Sequence, residues 1–193
     1  MGGFSFPNAA NTFTTTMNIP VPTANTVVTM PTTGTVVSST EPMSGMVIQV
    51  ANFTTGALAT STVLIPTDDT IPQNTEGVQV LSLIFVPKRA TSKLKIEVTT
   101  VMSHSVIAWM VSALFRDAVA DSLGASNVHQ GTAGASVAPT FTVYVNANSI
   151  ASTTFNVRIG AAAAGTTTFN GAGGGRYLGG AMASSITITE IAQ

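Results

Sequence analysis

The side chains most able to do chemistry in this sequence are a few histidines, serines and carboxylates. Ser103, His104 and Ser105 are consecutive, and Asp117 follows them. Serine, histidine and aspartate can form a hydrolytic group in which the histidine accepts the proton of the nucleophilic hydroxyl. The sequence has no Gly-x-Ser-x-Gly turn and no second suitable acid, so we predict no catalytic residues and no enzymatic activity. We expect His104 and His129 to be hydrogen-bonded or surface histidines.

A group of possible oxygen ligands lies in the segment IPTDDTIPQNTEG, residues 65–77. Asp68, Asp69, Asn74 and Glu76 carry oxygens of the kind that bind calcium. Their spacing is not that of an EF-hand, and Asp, Asn and Pro are also the common residues of turns. We predict a turn and no metal site, with a calcium ion held between loops or subunits as the alternative.

Two glycine-rich segments resemble nucleotide-binding loops only in part. Residues 160–165 have the glycine spacing of a phosphate-binding loop but lack the lysine that should follow, and residues 171–175 do not fit G-x-G-x-x-G. Both are predicted to be plain loops, and no cofactor is expected.

The charge of the chain argues against nucleic acid as a partner. The formal net charge is -1, and the basic cluster consists of Lys88, Arg89, Lys93 and Lys95. Such a cluster is typical of a solvated turn and strand face, whereas nucleic-acid binding requires a basic field. We expect no nucleic-acid partner.

The composition favours obligate assembly. Charged residues make up 8% of the chain, compared with about 25% in an average soluble protein, while 45% are hydrophobic. A surface with so few charges must be covered by Thr, Ser, Asn and Gln or buried against neighbours, and the apolar excess favours burial. The absence of cysteine excludes disulfides and thiolate sites, and it fits assembly in a reducing cytoplasm.

The first 43 residues differ in composition from the rest. They contain a single charge, Glu41, together with many threonines and five prolines. Proline and β-branched residues disfavour helix and leave extended backbone. Residues 1–43 are therefore predicted to be an extended N-terminal arm that a sister subunit or a larger scaffold holds in place, with a strand packed on its own domain as the alternative.

Residues 44–193 are predicted to be a β-sandwich or jelly roll of about eight strands. Apolar and polar residues alternate over 93–98 and 154–159, as in strands with one wet face. Glycine and proline separate the strands, and no segment has a helical period, which together favour an all-β fold. The other predicted strands cover residues 46–51, 60–65, 78–86, 106–115, 138–145 and 184–191.

Two of these strands are apolar on both faces. They are VQVLSLIFV, residues 78–86, and VIAWMVSALF, residues 106–115. The second is far too short for a membrane helix, so no membrane partner is expected. We predict that one face meets the second sheet and that the other meets sister subunits, and the residues assigned to the subunit interface are Leu83, Phe85, Trp109 and Met110.

Three stretches resemble a β-rich structural module of tailed-bacteriophage virion proteins, of the capsid decoration, head fibre or tail fibre type. They are IPTDDTIPQNTEG, AGTTTFNG at 164–171 and GGAMASSITITEI at 179–191. The resemblance covers roughly residues 45–193 and contains no catalytic signature. It implies a trimeric jelly roll on the outside of a particle, with the N-terminal part serving for attachment.

These expectations combine into a hypothesis about function. The chain is predicted to be a homotrimeric capsid decoration, or cement, protein on the outer surface of a virion, docked on the major capsid protein through its arm. The predicted capsid-anchoring residues of the arm are Phe4, Phe6, Phe13, Ile19 and Val21. The alternative is a tail fibre or receptor-binding module that contacts other tail proteins and recognises a host surface glycan. An enzyme acting on polysaccharide is disfavoured because no paired carboxylates stand out.

Overall fold

The computed structural model describes residues 42–193, and strands dominate this part of the chain. Its one helical element is a 3₁₀ turn at Leu178–Gly180. The strands are β1 (Val47–Thr55), β2 (Ala59–Ser61), β3 (Val78–Phe85), β4 (Lys93–Thr99), β5 (Met102–His104), β6 (Ala108–Arg116), β7 (Gly124–Gln130), β8 (Thr140–Asn146), β9 (Thr153–Ala161), β10 (Thr167–Phe169), β11 (Gly171–Ala172), β12 (Gly175–Arg176) and β13 (Ser184–Ile191).

Eight of these strands form two antiparallel four-stranded sheets. The first sheet has the order β1-β13-β4-β8, and the second has the order β3-β9-β6-β7. When these eight strands alone are numbered along the chain, the orders become 1-8-3-6 and 2-7-4-5, which is the arrangement of a jelly roll. The predicted all-β, jelly-roll fold is confirmed. Two smaller sheets, β2-β10-β5 and β11-β12, lie in the connections.

The core lies between the two sheets, and β4 and β9 show the alternation that builds it. Leu94, Ile96 and Val98 of β4 are fully buried, whereas Lys93, Lys95 and Glu97 between them are partly exposed. The β9 strand alternates in the same way, with buried side chains at 155, 157 and 159. Because successive side chains of a strand point to opposite faces, this pattern fixes which face packs against the other sheet.

A β-bulge changes the faces of β3. The register shifts between Gln79 and Leu81, which leaves Val80 without a cross-strand partner. As a result Val78 and Val80 pack against the core together with Leu81, although simple alternation would place them on the opposite face. Beyond the bulge Ile84 points outward and is 66% exposed.

The outer face of the second sheet is covered in part by its own chain. In the connection from β2 to β3, Ile65 is fully buried and its amide donates to the carbonyl of Ala161 over 3.2 Å. A Cβ atom on Gly160 would lie 2.7 Å from Ile65, so only glycine allows this approach. Further along, Arg158 donates to the carbonyls of Glu76 and Gly77 over 2.6 and 2.8 Å.

This covering segment corrects the prediction that the second apolar face of β6 meets sister subunits. Val111 and Ala113 lie on that face, opposite Gly160 and Arg158 of β9, and both are buried within the single chain, as is Phe115. Intramolecular packing therefore accounts for most of the apolar residues on this face. Trp109, the second residue of β6, is accessible to solvent.

The loops lie at the two ends of the sandwich, which we call the N-terminal pole, where β1 begins, and the distal pole, where β1 ends. The N-terminal pole carries the segment 42–46 before β1 and the loops 86–92, 117–123 and 147–152. The distal pole carries the connections 100–107, 131–139 and 162–183. The connection 56–77 begins and ends there but reaches the 117–123 loop, where the amide of Asn74 donates to the carbonyl of Ala120 over 2.8 Å. Residues 1–41 therefore join the described domain at the N-terminal pole.

Candidate assembly surface

The predicted arm falls almost wholly outside the described residues 42–193. Its five apolar anchors, Phe4, Phe6, Phe13, Ile19 and Val21, are outside them as well. Their role in attachment stays a prediction.

The four predicted interface residues differ in accessibility. Met110 is fully buried and Phe85 is 4% exposed, because both point between the sheets, so neither has surface left for a second subunit. Leu83 is half-buried and also packs against the core. Trp109 is 46% exposed, on the outer face of its sheet. The predicted subunit interface is thus corrected for Met110 and Phe85, and Trp109 is the residue of the four best placed to serve it.

Trp109 lies within a small apolar surface near the distal pole, which we call the Trp109 patch: Val106, Ile107, Trp109 and His129. Trp109 is the cross-strand partner of His129, and their ring centroids are 4.8 Å apart with the planes tilted by 54°. Val106 and Ile107 directly precede β6 and are about half exposed. An exposed tryptophan beside two exposed aliphatic side chains is the composition of an interface centre.

A second apolar surface lies at the N-terminal pole, and we call it the pole patch: Met43, Met46, Val47 and Val86. Each of these side chains is about half exposed. The segment is held in place by hydrogen bonds, because Met46 accepts at its carbonyl from Ala192 and the carbonyl of Val86 accepts from the Gln49 side chain over 2.8 Å. The pole patch is therefore a fixed surface at the place where residues 1–41 join the domain.

A buried carboxylate supports the pole patch from beneath. Glu190 of β13 is fully buried and accepts hydrogen bonds from the backbone amides of Lys88 and Arg89 and from the Gln49 side chain, at 2.6 to 3.0 Å. Burial alone would raise the pKa of Glu190, but the hydrogen bonds from Lys88, Gln49 and Arg89 outweigh it and hold the pKa below its ordinary value. The ionised carboxylate therefore pins the 86–92 loop to the end of the sandwich.

We expect Glu190→Gln to destabilise the protein by about 1–3 kcal/mol at neutral pH, because an amide cannot accept all the hydrogen bonds that the carboxylate accepts. The folded-state pKa is lowered, so this stabilisation is present above the unfolded pKa of about 4.5 and is lost as the pH falls through the lower folded value. The gap between wild type and variant should therefore shrink at low pH. Urea unfolding at several pH values measures it.

The matched control is Glu97→Gln, which removes a carboxylate that is 45% exposed and paired with Lys95. This change should alter stability by less than about 0.5 kcal/mol at neutral pH. An equal effect of the two substitutions would contradict the role assigned to Glu190.

The residues considered for hydrolysis are not brought together. His104 is buried near the distal pole, with Nδ1 3.1 Å from the hydroxyl of Thr167. Asp117 follows β6 at the opposite end of the sandwich, where it accepts from the amide of Thr154. The side chain of Gln130 bonds the backbone on both sides of His104, with its carbonyl oxygen accepting from the His104 amide and its amide donating to the His104 carbonyl. These contacts give His104 a structural role.

The residues considered for calcium form turns. The carboxylate of Asp68 accepts from the amide and hydroxyl of Thr70, and these bonds hold the pKa of Asp68 below its ordinary value. Asn74 donates to the carbonyls of Ala118 and Val119, and Glu76 accepts from the amide of Gln73. Within residues 42–193, no three His, Asp or Glu side chains converge in a group suited to holding a metal ion. The same part of the chain contains no helix long and apolar enough to cross a membrane.

Comparison with known proteins gives partial structural likeness only. No family model matches the chain, and no curated protein matches it. A structure of infectious bursal disease virus, Gx strain, overlaps 76% of this chain at 15% identity with a TM-score of 0.39, and the VP2 subviral particle of the same virus overlaps 76% at 15% identity with a TM-score of 0.32. Dimeric latent PorU from Porphyromonas gingivalis overlaps 81% at 10% identity with a TM-score of 0.36.

The chain spans less than half the length of each of these proteins: 33% and 39% of the two viral chains and 14% of PorU. Such TM-scores reflect partial overlap of β-structure. The function proposed below is therefore derived from the surfaces of this chain.

Proposed function

We propose that this chain is a structural protein of a virus particle, and specifically a homotrimeric capsid decoration protein on the outer surface of a tailed-phage head. The observation that carries the proposal is the pairing of a complete jelly roll with two separate exposed apolar surfaces, the Trp109 patch and the pole patch. A domain that has already buried its core gains nothing from exposed apolar groups unless they are covered by partners.

The Trp109 patch is the proposed contact between subunits. It lies on the side of the second sheet near the distal pole, away from the end where residues 1–41 join. Burial of apolar surface stabilises association by about 25 cal/mol per Å² before the costs of ordering, and a central tryptophan contributes disproportionately. Three copies joined there would leave their N-terminal poles free.

The pole patch and the arm are the proposed attachment to the major capsid protein. Met46 and Val47 come shortly after the arm in the sequence, and the arm and the pole patch are each proposed to contact the major capsid protein. An extended arm can add backbone hydrogen bonds to an exposed strand edge while alternate side chains enter pockets. Attachment through three arms raises the effective affinity by avidity, without any new contact.

Val86→Asp tests the attachment role. We expect the variant to remain folded and associated but to lose at least about tenfold in affinity for capsids, because a charge would be buried at the contact. Cosedimentation of the full chain with undecorated capsids measures this. The control is Leu178→Asp, which changes an exposed residue at the distal pole. Equal capsid binding by Val86→Asp and wild type would contradict the proposed contact.

The second candidate, a tail fibre or receptor-binding module, is favoured by one feature, an exposed tyrosine on a hydroxyl-rich sheet face. The number of copies per particle separates the two functions. Hundreds of copies indicate decoration, whereas a few to a few dozen indicate a tail component. Quantitative mass spectrometry of purified particles gives this number.

A further inference from the structure

The outer face of the first sheet differs from that of the second sheet in being polar. The outward side chains of its four strands form three cross-strand rows: Val50, Thr189, Lys95 and Tyr144; Asn52, Thr187, Glu97 and Thr142; and Thr54, Ser185, Thr99 and Thr140. Seven of these twelve side chains carry aliphatic hydroxyl groups. With strands about 5 Å apart and rows about 7 Å apart, the face offers a hydroxyl array wider than one sugar ring.

Tyr144 is the aromatic member of this array and is 56% exposed. It lies on the edge strand β8, opposite Lys95 on β4. An exposed tyrosine combines a flat apolar ring with a polar hydroxyl, and because it has few rotatable bonds it loses little conformational entropy on binding. A flat ring on a sheet surface can stack on the apolar face of a sugar.

Hydrogen-bonding groups lie beside the tyrosine on the neighbouring strand β4. Lys95 and Glu97 form an ion pair with an N–O distance of 2.8 Å, so the face presents both a donor and an acceptor without net charge. Within the described residues, no protein group hydrogen-bonds the hydroxyls of Thr142 and Thr189. Thr142 lies one row from Tyr144 on the same strand, and Thr189 lies in the row of Tyr144 two strands away. These hydroxyls are available to a ligand.

We propose that the outer face of the first sheet binds a neutral oligosaccharide. Tyr144 stacks on one sugar ring, the Lys95–Glu97 pair bonds its hydroxyl groups, and Thr142 and Thr189 bond the neighbouring positions. The balanced charge of the pair favours a neutral sugar over a sialylated or phosphorylated one, since an anionic ligand would need an excess of cations. This binding is independent of the Trp109 and pole patches.

The test uses the full-length chain on a printed array of neutral and sialylated oligosaccharides, followed by titration calorimetry with the neutral glycan retained most strongly. Tyr144→Ala should weaken binding at least about tenfold, the loss expected for an exposed aromatic anchor. Tyr144→Phe, which keeps the ring, should retain most of the binding. The matched control is Tyr177→Ala, which removes the other exposed tyrosine of the described residues, at the distal pole.

Glu97→Gln gives a second readout, because it removes the charged acceptor while preserving side-chain shape, and it should weaken binding severalfold. Retention of sialylated glycans alone, the absence of any retained neutral glycan, or unchanged binding by Tyr144→Ala would each overturn the proposal. None of these outcomes alters self-association or capsid binding, so this proposal and the proposed virion function fail separately.

Discussion

Trp109→Asp is expected to give a folded monomer. Trp109 is 46% exposed on the outer face of its sheet, and the core beneath it is formed by other residues such as Met110, so the substitution leaves the sandwich intact. At the proposed subunit contact it replaces the largest apolar anchor with a charge, which should weaken association by about 2 kcal/mol or more, at least thirtyfold in the dissociation constant. Sedimentation equilibrium measures the change.

Had Trp109 been part of the core, the same substitution would have caused misfolding and aggregation, so the thermal unfolding curve of the variant distinguishes the two situations. Val119→Asp is the matched control, because Val119 is similarly exposed but lies in the β6–β7 loop at the N-terminal pole. Unchanged association of Trp109→Asp would rule the Trp109 patch out as the subunit contact.

Phe155→Ala is expected to have the largest effect on folding stability, a loss of about 3–5 kcal/mol. Phe155 is fully buried between the sheets, and Arg116 lies over its ring at 5.5 Å. Removing the ring forfeits its burial and leaves a cavity that the two rigid sheets cannot close. Chemical denaturation, with the midpoint and slope fitted together, gives the change in the free energy of unfolding.

The control for Phe155→Ala lies on the neighbouring strand. Ile84 pairs with Thr154 and points outward, so Ile84→Ala removes apolar atoms from the surface and should change stability by less than about 0.5 kcal/mol. Similar losses for the two variants would mean that the face assignment of β3 or β9 is wrong.

Strands with one solvent-exposed face were predictable from the sequence, because apolar and polar residues alternate along them. The β4 strand shows this best, since charged residues at 93, 95 and 97 leave only one face for the core. The number of such strands and the glycine-rich and proline-bearing connections favoured a β-sandwich or jelly roll, and the structure is a jelly roll.

Of the eight long strands, β7 was not predictable from alternation. The strand β7 has the sequence GASNVHQ, with small and polar residues at most positions, because it lies at a sheet edge and its outward side chains face solvent. Residues 60–65 were predicted to be a strand instead. There β2 covers only Ala59–Ser61, and Ile65 packs across the outer face of the second sheet.

The candidate interface was only partly predictable for a related reason. Local sequence shows that β6 is apolar on both faces, but it cannot show that a segment some forty residues earlier in the chain covers Val111. Met110 is buried between the sheets, whereas Trp109 lies on the outer face of its sheet and is 46% exposed. Long-range packing of this kind has no local signature.

Cryo-electron microscopy of purified particles tests the central claim most directly. The account predicts jelly-roll densities in groups of three on the outer surface of the head, with the N-terminal poles toward the major capsid protein and the Trp109 patches in contact. Absence of the chain from the particle, or its presence as isolated subunits with Trp109 exposed to solvent, would contradict the account.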